Sequence, residues 1–168
     1  MRHSGDMAET LAPPAEFEEY SIRDAVLADL PAIVALLADD VLGATRERPE
    51  QPLPVEYRRA FDAIAADPRH RLVVMDHDGD VVATLQLSFL PCLTHVGSER
   101  AQIEAVRVAA ARRGSGVGRE FLQWAIDQAR ERGCGQVQLM TNADRPDAHR
   151  FYEQLGFRRT HVGMKLDL

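Results

Sequence analysis

Lysine is almost absent from this 168-residue chain: Lys165 stands alone beside 19 arginines. Without a Gly-Lys-Ser/Thr triplet there is no P-loop for a nucleoside triphosphate. Two cysteines, Cys92 and Cys134, are too few for a disulfide scaffold or a four-thiolate zinc site. Neither sits in a metal-ligand spacing, so no metal is expected. No run approaches the ~18–20 apolar residues of a membrane span, and mean hydropathy is −0.26. The 26 acidic residues outnumber the 20 basic ones, which argues against a general nucleic-acid binder. Met1 to Glu16 lacks the apolar core of a secretory signal. Its Ser4, Gly5, Asp6, Pro13 and Pro14 read as a loose tail. The expectation is a cytoplasmic protein without membrane or nucleic-acid partners.

With 45% hydrophobic residues, residues 17–168 suffice for one domain, which at this size buries roughly 70% of its unfolded surface. Residues 20–22 read as a short strand. Asp24 is placed to cap a helix whose apolar face is Val26, Leu27, Leu30, Ile33, Val34 and Leu37. The stretch 46–54 holds three prolines in nine residues and reads as a loop. Residues 55–66 follow as a second helix. Strands are expected at 71–75 and 81–89, joined by an Asp78-Gly79 hairpin turn. Further strands are expected at 101–108, 136–141 and 157–168, with helices at 117–132 and 147–155. The order β-α-α-β-β-β-α-β-α-β predicts an α/β domain of helices around a mixed sheet. Its unit 101–141 should be a right-handed parallel crossover.

Charge divides along the chain. Residues 1–99 hold 18 acidic and 8 basic side chains, and residues 100–168 hold 8 and 12. The basic half contains a glycine turn, Gly114-Ser-Gly116-Val-Gly118, flanked by Arg113 and Arg119, after a strand and before a helix. Glycines there let successive N–H groups converge at a helix N-terminus, which suits a phosphate or pyrophosphate. A dinucleotide fingerprint G-x-G-x-x-G is excluded, since its last position falls on Arg119 or Phe121. A tight strand–helix connection without a ligand would use the same glycines.

The run Ile103 to Leu122 (IEAVRVAAARRGSGVGREFL), with Arg113-x-x-Gly116-x-Gly118 inside it, resembles motif A of the GNAT superfamily of acetyl-CoA-dependent N-acetyltransferases. Ala148-His-Arg-Phe-Tyr152-Glu-Gln-Leu-Gly156-Phe157 is similar to that superfamily's C-terminal A-x-x-F-Y-E-x-L-G-F run. Together the two motifs cover roughly residues 100–160, in the right order. The resemblance implies an α+β fold with a mixed, mostly antiparallel sheet of about six to seven strands, flanked by about four helices. It implies acetyl-CoA as co-substrate and a small-molecule primary amine as acceptor. A protein N-terminus, a protein lysine, or a non-catalytic CoA-binding role are the alternatives. A homodimer is the symmetric default.

The resemblance also implies roles. Val106, Arg107 and Val108 would run beside the pantetheine arm, with the Val108 N–H polarising the acetyl carbonyl. Arg113, Gly114, Ser115, Gly116, Val117, Gly118 and Arg119 would hold the pyrophosphate. Tyr152 would protonate the departing thiolate. Many members have Asn seven residues before the tyrosine; here that position is Arg145, while Asn142 ends the preceding strand, and both are expected to reach the cofactor. Glu104 is the expected base, on one strand face with Gln102 and Val106. His70, His95, His149 and His161 are the other candidates. Some members carry a catalytic carboxylate where Gln102 stands. The run 141–152 is similar to that of aminoalkylphosphonate N-acetyltransferases, which makes such compounds candidate acceptors.

Overall fold

The computed structural model describes residues 20–39 and 43–167. The expected tail, residues 1–16, lies outside them. Five strands form one sheet in the order β1 (Ser21–Asp24), β2 (His70–His77), β3 (Asp80–Leu90), β4 (Arg100–Val108) and β5 (Gln136–Leu139). The first three pairings are antiparallel and β4–β5 is parallel. Helix α1 (Leu30–Ala38) and α2 (Val55–Ala66) precede β2, α3 (Val117–Glu131) crosses from β4 to β5, and α4 (Pro146–Gln154) follows. The mixed, mostly antiparallel sheet and the parallel crossover are as expected.

Period-two alternation divides the sheet into two faces. Val73, Met75, Leu85, Leu87, Phe89, Ala101 and Ile103 turn toward α3 and meet Val117, Phe121, Leu122, Ala125 and Ala129. These α3 residues recur at helical spacing, so one stripe of the helix is fully apolar. The opposite face is approached by α1, packed on β3 and β4, and by α2, packed on β2. Burying these side chains at about 25 cal/mol per Å² is the main favourable contribution to folding.

Three expectations are corrected. Asp24 does not cap α1: it ends β1 and accepts a 2.8 Å bond from Arg71 Nε. The helix begins only at Leu30, after the turn Leu27–Asp29. The last strand, 157–168, is absent among the described residues, so the sheet has five strands rather than six or seven. Val162, Met164 and Leu166 alternate as a strand would, but they are exposed and pair with no described strand. Alternation supplies a face, while a strand also requires a bonded neighbour.

The third correction lies in β4. Pairing with β3 slips between Thr84↔Arg107 and Gln86↔Glu104, and Ala105 has φ +53°. This is a β-bulge, with one residue too many opposite Leu85. It reverses which side chains face α3. Ala101 and Ile103 do so before the bulge, and Val106 and Val108 pack on the same core after it. Glu104 therefore shares a face with Gln102 but not with Val106.

Candidate functional site

The site forms where β4 and β5 part. Their last paired residues are Ile103 and Leu139, so Glu104 to Val108 continue with an edge that β5 does not cover. On the other side of β4, the Ala109 N–H donates to the Val82 carbonyl at 2.8 Å. Bonded and non-bonded pairs alternate along an antiparallel ladder. Val108, registered opposite Ala83, thus points its own N–H and C=O away from β3, toward the gap. Arg113 Nε donates to that carbonyl at 3.0 Å, and the N–H beside it faces the opening.

The glycine turn lies at the end of this strand. Gly114 has φ +81° and Gly116, the residue before α3, φ +97°, a left-handed region that penalises any side chain. Added Cβ atoms there would meet nothing within 4 Å. The backbone, rather than crowding, requires glycine, and the loop is open outward. The Arg119 and Ser115 N–H groups bond inside the loop, to Gly116 O at 2.9 Å and to Arg112 O at 3.4 Å. The remaining N–H groups of Gly114, Gly116, Val117 and Gly118 sit at the positive end of a 15-residue helix. These residues fit a pyrophosphate. A Cβ at Gly118 would contact Val108 Cγ2 at 3.5 Å and Phe151 Cζ at 3.6 Å, so strand, loop and α4 converge here.

The flanking arginines are engaged with the protein itself. Arg113 Nη2 donates to both the carbonyl and the carboxylate of Asp39, each at 2.8 Å. Arg119 Nη2 reaches Gln154 Oε1 on α4 at 3.3 Å.

Tyr152 lies on α4 between Phe151 and Phe157, at ring-centroid distances of 5.4 and 6.0 Å. It packs against the same core as Val106, Val108 and Leu139. Burial pushes its phenol above the ordinary value, and the nearby charges of Arg107 and Arg145 pull it back only in part. The phenol therefore keeps its proton at neutral pH. Sequence placed Arg107 and Arg145 with a cofactor; the structure sets both cations near the phenol. Asn142 acts locally, its Oδ1 accepting the Asp144 N–H at 2.9 Å while its carbonyl accepts from His149 Nε2 at 2.9 Å.

Glu104 is exposed and lies opposite Gln86. Around it is a set of polar side chains that the sequence did not mark as one feature, although His70 stood among the candidate bases and Gln102 on the face of Glu104. His70, Ser88, Gln102 and Gln138 are register partners across four strands. His70 Nδ1 lies 2.8 Å from Ser88 Oγ, Gln86 Nε2 donates to Ser88 Oγ at 3.4 Å, and Gln138 Nε2 donates to Gln102 Oε1. Polar residues two apart in apolar strands, Gln86/Ser88 and Gln102/Glu104, were the available signal. Of the other histidines, His95 and His161 are exposed and His149 is bound to the Asn142 loop. Both cysteines are free thiols, and no metal-binding cluster exists among the described residues. No described helix is long and apolar enough to cross a membrane.

The acetyltransferase (GNAT) family model matches residues 31–157. An aminoalkylphosphonate N-acetyltransferase of Salmonella typhimurium is 32% identical over 105 residues, covering 62% of this chain and 68% of that protein. An L-methionine sulfoximine/L-methionine sulfone acetyltransferase of Pseudomonas paraeruginosa is 32% identical over 138 residues, 82% of this chain and 79% of its own length. Among solved structures, a transcriptional regulator from Bacillus halodurans C-125 superposes with a TM-score of 0.87 at 50% identity, over 89% of this chain and all of that one.

Proposed function

Because the chain belongs to the GNAT acetyltransferase family, and is thus an acetyl-CoA-dependent N-acetyltransferase, we propose that it acetylates the primary amine of a small molecule by direct attack. When bound, acetyl-CoA supplies a thioester carbonyl and a thiolate leaving group. The observation that carries the reading is the convergence of an open β4 edge, an anion-binding turn and a protonated Tyr152. Gly114, Gly116, Val117 and Gly118 would hold the pyrophosphate through N–H groups. Val106 and Arg107 would flank the pantetheine arm, with Asn142 shaping the loop beside it. The Val108 N–H is placed to steady a developing oxyanion, which is worth about 3 kcal/mol for one well-aimed donor. Glu104, directly or through water, removes the proton that an ammonium carries at neutral pH. Tyr152 returns a proton to the departing thiolate. Arg107 and Arg145 favour negative charge at that place.

The division of charge supports this arrangement. The net-positive half holds the turn and Tyr152, while the net-negative half supplies α1, α2 and the loop 46–54, where a cationic amine would enter. The Salmonella relative acetylates aminoalkylphosphonates and the Pseudomonas relative acts on methionine sulfoximine and sulfone, so small polar amines are the acceptor class. A protein acceptor has no comparable support.

The second reading is a non-catalytic CoA-binding module that regulates a partner; the observation on its side is that the similar protein from Bacillus halodurans is called a transcriptional regulator. Thermal shift with acetyl-CoA, followed by thiol release across an amine panel read by mass spectrometry, separates the two. Binding with acetylated product supports the enzyme. Binding without product from any amine supports the module. No binding overturns both.

A further inference from the structure

Beyond α4 the Phe157 N–H bonds back to the Tyr152 carbonyl, and from there to residue 167 the chain joins no described strand or helix. Within this segment Val162, Met164 and Leu166 are 90%, 92% and 85% exposed. Single apolar side chains on a surface are ordinary. Three large ones at alternate positions form a continuous patch, and such patches mark contacts with another protein. Gly163 stands among them. A Cβ there would lie 3.8 Å from Met140 Sδ, just past the end of β5, so the segment rests on its own chain through its glycine side. Side chains alternate along an extended segment, which sends the apolar row the other way, into water. Nothing among the described residues of the same chain covers it.

The row is matched to its own copy. Read end to end in reverse, Leu166 takes the place of Val162 and Met164 stays at the centre. A two-fold axis reverses a segment in this way, and the interface it generates must be self-complementary. The row carries no charge, and a flexible methionine at its centre adapts to a second one. The same reversal brings the Asp167 end of one segment to the His161 end of the other, opposite in sign when the imidazole is protonated. Covering the row on two copies removes on the order of 1,000 Å² from water, the size at which specific interfaces begin.

We propose that Val162, Met164 and Leu166 form an interface between two copies of this chain, packed face to face across a two-fold axis at Met164. Each Met164 then meets Met164 of the partner subunit, and each Val162 meets Leu166 of the partner subunit. The glycine side of each segment stays on Met140 of its own chain. The dimer leaves the glycine turn and the open edge of β4 uncovered, because no residue of the row belongs to either.

The test is sedimentation velocity on the full chain from about 1 to 100 μM. The wild type should form a species of twice 18.7 kDa. Met164→Asp and Met164→Lys each place like charges face to face on the axis, and each alone should weaken the dimer at least about a hundredfold. Mixed in equal amounts, the two variants should dimerise again, because an Asp then faces a Lys. Val162→Asp mixed with Leu166→Lys gives a second complementary pair should a variant at Met164 fail to fold. A wild type that stays monomeric to the highest concentration overturns the proposal, whether the segment lies on its own β5 or awaits a different partner. A dimer that survives Met164→Asp overturns it, since the contact then lies elsewhere. Single variants that dissociate but do not recover on mixing overturn the two-fold at Met164. None of these outcomes depends on acetyl-CoA, so the interface and the acetyltransferase reading fail separately.

Discussion

Arg113 and Asp39 join the two halves of the molecule: the guanidinium Nη2 lies 2.8 Å from the Asp39 carboxylate and 2.8 Å from its backbone carbonyl. The same guanidinium holds the Val108 carbonyl through Nε. One side chain thus ties the end of α1 to the strand edge and to the mouth of the glycine turn. Both partners are about half exposed, so the ion pair itself contributes at most about 1 kcal/mol.

The consequence is a separation of stability from binding. Arg113→Ala should lower stability by no more than about 1 kcal/mol. It should weaken acetyl-CoA about tenfold, or ~1.4 kcal/mol, because the turn loses its anchor and one positive charge. Asp39→Asn, which keeps the backbone carbonyl bond, should change affinity less than threefold. Calorimetric titration and thermal melting of the two variants check this, and equal losses of affinity would refute the anchoring role.

Tyr152→Phe should lower kcat by about 10²-fold or more while leaving the fold intact, since the ring stays packed against Phe151 and Phe157. The phenol must be protonated to act. Burial raises its pKa above the ordinary value near 10, so the alkaline limb of kcat should lie above that value in the wild type. Arg145→Gln removes a charge that opposes the rise, and should move the limb higher still. The same sign governs stability. A phenol whose pKa is raised on folding contributes fully below its unfolded pKa and loses that contribution as pH climbs through the folded one. A fall in stability at alkaline pH that is smaller in Tyr152→Phe than in the wild type is the expected pattern, because burial also raises the Tyr57 phenol and the Cys134 thiol and they retain their share of the fall.

Glu104→Gln should cut kcat/KM by about 10²-fold at neutral pH, because the acceptor's ammonium loses its proton sink. Activity should recover as pH approaches the amine's own pKa, where the free amine needs no base. A rate profile from pH 6 to 10 checks this, and a deficit constant across that range would mean that Glu104 only binds the acceptor.

These roles were legible in the sequence to different depths. Gly114 and Gly116 were found because their chemistry is local, a turn before a helix demanding glycine, whereas Tyr152 was singled out only by the resemblance of the run 148–157 to the family's C-terminal motif. The positions of Arg113 and Arg145 were readable, but not their partners. Asp39 is 74 residues from Arg113, and only the tertiary fold brings them together. The final strand was over-read because Val162, Met164 and Leu166 alternate, whereas pairing depends on a neighbour that alternation does not reveal. The polar row escaped notice because its members come from four strands and become one feature only in register.

The bulge at Ala105 was invisible for a different reason, and it gives the sharpest structural prediction. Alanine gives no sign of a positive φ, yet Ala105 sits at φ +53°, where an L-residue is disfavoured by roughly 1–2 kcal/mol. The bulge leaves Glu104 on one face with Gln102 and turns Val106 and Val108 to the core. Ala105→Gly should relieve the strain and hold or raise stability by up to about 1 kcal/mol, with kcat within twofold. Ala105→Val places a β-branched side chain in the same region and should destabilise by about 2 kcal/mol or more. If the chain escapes by flattening the bulge, the alternation of β4 is restored and Glu104 and Val106 share a face. That outcome predicts lost acetylation in a protein that still melts cooperatively. Thermal unfolding and thiol-release kinetics on the two variants distinguish a strained, site-forming bulge from an indifferent one, for which glycine and valine would behave alike.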